Sequence, residues 1–145
     1  NYPKKVIFQI NDTEITDYLD AANKISRSKD IKLVNIQHEF GIFGGDYGDF
    51  ILPFLEIIKK PVVITFHSVL PNPDYKIKKV VQEIAKRVRA IIVMTKKGVE
   101  ILRKDYSIQT KIYVVPHGIP HTRLETQNRE KKNLEIYKKR GRRDL

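Results

Sequence analysis

Five short runs of aliphatic and β-branched residues punctuate the chain, and stretches with apolar residues at helical spacing separate them. The runs are Val6–Ile10, Ile31–Gln37, Val62–Phe66, Ala90–Met94 and Lys111–Val115. Their length and β-branched content read as strands. Between the first two, Ile15, Tyr18, Leu19, Ala22 and Ile25 fall on one helix face, and Thr13 or Asp12 is placed to cap its first turn. The apolar segment from Asp46 to Lys60 reads as a largely buried helix, with Pro53 requiring a kink or a late start. Asn72-Pro73 supplies an N-cap and a first-position proline for a helix striped by Ile77, Val80, Val81, Ile84 and Val88. Thr95 caps a short helix carrying Val99 and Leu102. The order βαβαβαβαβ predicts an α/β fold: a Rossmann-like parallel sheet of about five strands, with right-handed crossovers and helices on both faces.

After Pro120 the pattern turns polar and basic. The chain therefore divides into a domain over 1–120 and a basic polar tail over 121–145, with a helix predicted from about Glu125 to Arg140. The apolar positions there, Leu124, Leu134, Ile136 and Tyr137, are too few for a continuous core face. Arg123, Arg129, Lys131, Lys132, Lys138, Lys139, Arg140, Arg142 and Arg143 face only four acids in that stretch, and the whole chain carries a formal net charge of +11. Such a field favours anionic partners: nucleic acid, an anionic membrane surface or phosphorylated small molecules. A charge run is also the ordinary composition of a solvated face.

With no cysteine, disulfides, thiolate nucleophiles and cysteine-based zinc sites are excluded. No apolar stretch approaches the roughly 20 residues that span a bilayer, and no signal-peptide pattern opens the chain. The expectation is a cytoplasmic protein, with a place peripheral to a membrane as its variant. The first residue is Asn1 rather than methionine, which suggests that upstream residues have been lost or belong to a longer product.

Three of the four histidines stand just past a hydrophobic run: His38 after Val34-Asn35-Ile36-Gln37, His67 after Val62–Phe66, and His117 after Tyr113–Pro116. In parallel α/β sheets ligands bind outside the carboxyl ends of the strands. The three imidazoles are thus expected on one functional rim. The loop from Gln37 to Gly45 adds Gly41, Gly44 and Gly45, which allow positive φ and bring backbone N–H groups close to a ligand. The bland alternative is a tight turn with Phe40 and Phe43 in the core. A single histidine beside an apolar strand is likewise more often structural. The loop is not the dinucleotide fingerprint, and no Walker A sequence is present. No H-E-x-x-H motif points to a metal, and no G-x-S-x-G elbow points to a hydrolase.

Three blocks together resemble the amino-terminal domain of family 4 ("group 1") glycosyltransferases of the GT-B fold. They are His38-Glu39-Phe40-Gly41-Ile42-Phe43-Gly44-Gly45, Pro61-Val62-Val63-Ile64-Thr65-Phe66-His67-Ser68-Val69-Leu70, and Val114-Val115-Pro116-His117-Gly118-Ile119-Pro120. The resemblance spans about Tyr2 to Pro120. It implies two Rossmann-like domains facing across a cleft, of which this chain is part of the acceptor-side half. It implies retaining hexosyl transfer from a nucleotide-sugar to a sugar or lipid-linked acceptor, with no metal and no cofactor beyond the donor co-substrate. By position, His67 is the strand-end histidine near the transferred sugar. His38, Glu39, Gly41, Gly44, Gly45, Ser68, His117 and Gly118 are the implied substrate-binding residues. The family's opening strand with its glycine-rich loop, and the E-x7-E pattern of its donor domain, do not occur in this sequence. The resemblance therefore implies a truncated domain, inactive alone and completed by a donor-domain polypeptide. The alternative is a degenerate, non-catalytic interaction module whose basic tail makes weak nucleic-acid or membrane-surface contacts.

Overall fold

The computed structural model describes residue 3 and residues 5–118. The basic segment 121–145, with its predicted helix, lies outside the described residues. Four strands, β1 Val34–His38, β2 Val62–Phe66, β3 Ala90–Val93 and β4 Ile112–Val114, form one parallel sheet in the order β1-β2-β3-β4. They alternate with helices α1 Ile15–Arg27, α2 Ile51–Ile57, α3 Tyr75–Arg87 and α4 Lys96–Lys104. The fold is α/β and Rossmann-like, as the alternation predicts.

Its details differ from the sequence reading in two ways. Val6–Ile10, expected as the first strand, is not in the sheet. Its only backbone hydrogen bond with a described residue runs from Val6 N–H to the Pro3 carbonyl, 2.9 Å away, and Ile7 is 73% exposed. A β-branched run becomes a strand only where a neighbour satisfies its backbone groups, and no described strand pairs with it. Second, a sheet in sequential order sends successive right-handed crossovers to the same side. The connecting helices α2, α3 and α4 thus share one face, with α1 packed on α2 and α2 on α3.

The register lines up Ile36, Ile64, Ile91 and Ile112 in one row under that helical layer, and His38, Phe66, Val93 and Val114 in the next. Ile64, Ile91 and, from α3, Ile84 are fully buried. Burial of side chains of this size contributes about 1.5–3 kcal/mol each. The opposite face carries the row Gln37, Thr65, Ile92 and Tyr113, of which Gln37 and Tyr113 are exposed.

Helix starts show where local chemistry decides. Thr95 caps α4 as predicted, its hydroxyl accepting from Gly98 N–H at 3.0 Å. For α1 neither Thr13 nor Asp12 is the cap. Glu14 holds that position without a side-chain bond, and the Asn11 carboxamide oxygen accepts from Thr13 N–H instead. The cap of α3 is Asp74, accepting from Ile77 N–H at 2.9 Å. The predicted cap, Asn72, takes a left-handed φ of 49° and gives its N–H to the Asp105 carboxylate. Helix α2 starts late, at Ile51, which puts Pro53 in the first turn. There its missing N–H would have had no helical partner. No helix among the described residues is long and apolar enough to cross a membrane.

Candidate functional site

All three histidines lie at the carboxyl end of the sheet, since β1 ends at His38, His67 follows β2 and His117 follows β4. Their side chains do not converge. His38 shares a face with Ile36 and Val34, so its ring enters the core rather than the rim. It is 0% exposed, stacked on Phe43 at 5.5 Å and edge-on to Phe40 at 5.3 Å and Phe66 at 4.9 Å. Neither ring nitrogen has a hydrogen-bond partner among the described residues. Burial disfavours the imidazolium and lowers the pKa to about 4, outweighing the Glu39 carboxylate, which acts in the opposite sense. The place on the ligand rim expected for His38 is therefore corrected: it is a neutral core residue.

His67 is one residue further along and takes the other face. Its ring is exposed, and Nε2 lies 2.8 Å from Gln37 Oε1. Gln37 Nε2 in turn reaches Thr65 Oγ1 at 3.4 Å, and Thr65 Oγ1 donates to Asn35 Oδ1 at 3.1 Å. These polar groups line one side of β1 and β2, and Thr65 is only 5% exposed beneath them. The exposed ring of His117 stands 5.9 Å from that of His67, tilted by 31°. The sheet thus pairs His67 with His117 and leaves His38 behind them. Among the described residues, no group of three or more His, Cys, Asp or Glu side chains is placed to hold a metal ion.

Beside His67 a cleft of about 220 Å³ opens at the ends of β2 and β3, floored by Phe66 and Val93 and bounded by Thr95, Lys97 and Gly98 at the start of α4. The positive end of a helix and a lysine favour an oxygen-rich or anionic group at such a mouth. The segment after His67 is held from below. The buried Tyr106 hydroxyl donates to the Leu70 carbonyl at 3.0 Å, and Asp105 accepts from Asn72 N–H at 3.0 Å. Burial pushes the Tyr106 phenol up to about 12, so it stays a donor. Ser68, half-buried, lies on this segment. A larger, more open groove of about 710 Å³ shares Lys97 and Ile101 with the cleft but reaches no histidine.

The glycines of the 38–45 loop divide in the same way. A Cβ on Gly44 would lie 1.7 Å from the Asp12 carbonyl oxygen, and Gly44 N–H is tied to the Tyr18 hydroxyl at 3.0 Å. Gly45, at φ 80°, would meet Asp49 and the Phe50 ring. Both serve the close approach of the loop to α1 and α2. Gly41, at φ 91°, faces open space, as does Gly118. Glu39 is half-buried and accepts from Phe40 N–H.

The model of Glycosyltransferase Family 4 matches residues 17–123, most of the chain. The chain belongs to this family. Comparisons with curated proteins and with solved structures found no match. The matched region of this family 4 chain contains the whole sheet and both members of the His67–His117 pair. Gln37, Thr65, Asn35 and Tyr106 were missed as supports of the site. Polar residues inside an otherwise apolar strand, at the same parity as His67, were the signal for the first three.

Proposed function

We propose that this family 4 domain serves the acceptor side of a retaining glycosyltransferase, moving a hexosyl group from a nucleotide-sugar to a sugar or lipid-linked acceptor. The observation that carries the reading is the exposed His67–His117 pair beside a cleft at the carboxyl end of the sheet, within the region matched to the family. In the reaction the anomeric carbon exchanges its bond to a phosphate oxygen for one to the acceptor oxygen, and the hydroxyl proton passes to the departing phosphate. This is largely a positioning and electrostatic task. His67 is the residue assigned to the reacting groups. Ser68, His117 and Gly118 line the approach with Glu39 and Gly41, and Gly44 and Gly45 shape the loop. A donor-binding polypeptide or domain completes the cleft, and the 145-residue polypeptide by itself transfers no sugar.

Two measurements test this. Calorimetric titration of the chain with a panel of nucleotide-sugars is expected to show weak binding at best. A micromolar dissociation constant, about −8 kcal/mol, contradicts the assignment of donor binding elsewhere. In a complete two-domain enzyme, His67→Ala is expected to cut turnover about 10²-fold, or about 2.7 kcal/mol, the scale of one lost polar stabiliser. Unchanged turnover removes His67 from the site.

A further inference from the structure

The geometry points to Gln37 as the positioning residue that fixes which nitrogen of His67 carries the proton, an inference that rests on the reading of His67 as a site residue. The neutral imidazole has one donor and one acceptor nitrogen, and the hydrogen bond made by one decides what the other offers. Three bonds run in a common sense across the open side of β1 and β2. The Thr65 hydroxyl donates to Asn35 Oδ1 at 3.1 Å, and Gln37 Nε2 donates to Thr65 Oγ1 at 3.4 Å. That leaves Gln37 Oε1 as an acceptor, 2.8 Å from His67 Nε2. With an acceptor opposite it, Nε2 must hold the proton. Nδ1 then keeps its lone pair and makes no hydrogen bond with a described residue. It can accept from a ligand hydroxyl at the strand ends. Thr65, at 5% exposure, anchors the relay in the sheet, whereas His67 and Gln37 are exposed. A substitution at Gln37 therefore changes the ring's partner without opening the core.

The test is nitrogen-detected NMR of the His67 ring in the chain itself at about pH 8, where an imidazole is neutral. The expected result is a single Nε2–H form with a resolved Nε2 proton. In Gln37→Leu that proton is lost to solvent exchange and the two tautomers mix. Gln37→Glu, whose carboxylate can only accept, keeps the Nε2–H form. An Nδ1–H ring in the unaltered chain overturns the assignment, as does a His67 spectrum that Gln37→Leu leaves unchanged. Since these spectra need no sugar, a chain that shows the expected pattern while His67→Ala leaves turnover intact refutes the transfer role and leaves Gln37's control of the ring standing.

Discussion

His38 and His67 sit side by side, the His67 N–H donating to the His38 carbonyl at 3.0 Å, yet they belong to different worlds. His38 pairs in register with Phe66, so His67 is one step beyond that row. Side chains alternate faces along a strand, and one step is enough to move a ring from core to solvent. The same residue type at the end of two neighbouring strands is thus a packing residue in one and a candidate ligand in the other. Proximity to the carboxyl edge is not what leaves a histidine open to a ligand; its parity in the strand is.

The largest expected effect that separates the two is on stability. His38→Ala removes a ring enclosed by Phe40, Phe43 and Phe66 and is expected to cost about 3 kcal/mol in urea unfolding. A loss below about 1 kcal/mol would mean that the ring is not packed as described.

The pH dependence sharpens the contrast. His38 has a pKa of about 4 in the fold and an ordinary value of 6.5 when unfolded. Between those values the unfolded chain binds a proton that the folded chain does not. Stability from this group is therefore complete above about pH 6.5 and falls by about 1.4 kcal/mol for each unit as the pH drops towards 4. Urea melts across this range should show the slope. His38→Leu, which keeps the cage filled and removes the titrating ring, should lose it while staying within about 1.5 kcal/mol of the original stability at neutral pH.

The smallest effect belongs to His67. Its ring is exposed and holds one surface hydrogen bond, so His67→Ala should change stability by no more than about 0.5 kcal/mol. A loss of about 1–3 kcal/mol in the same melts would mark it as a structural histidine.

Much of this was legible in the sequence, and the places where it was not have physical reasons. The alternation of strands and helices gave the α/β class, and Thr95 before Lys96-Lys97-Gly98 gave the cap of α4. In Val34-Asn35-Ile36-Gln37-His38 the apolar positions alternate with Asn and Gln, which already places His38 inward with Val34 and Ile36. Its position at the strand end outweighed that pattern. In Val62-Val63-Ile64-Thr65-Phe66 both faces are mostly apolar, so only Thr65 hints that His67 shares a side with Asn35 and Gln37. Val6–Ile10 has the composition of a strand, but composition does not supply a neighbour to pair with. Asn72-Pro73 reads as a helix start, yet the turn is shaped by Asp105, more than thirty residues away in the chain, which no local pattern reveals.

The split between the two histidines is tested most directly by modification with diethyl pyrocarbonate, followed residue by residue by peptide mass spectrometry under native conditions. His67 and His117 should be modified at rates typical of exposed imidazoles. His38 should react at least about a hundredfold more slowly, and only through opening of the fold, becoming reactive once urea is added. Modification of His38 as fast as His67 in the folded chain would contradict the account.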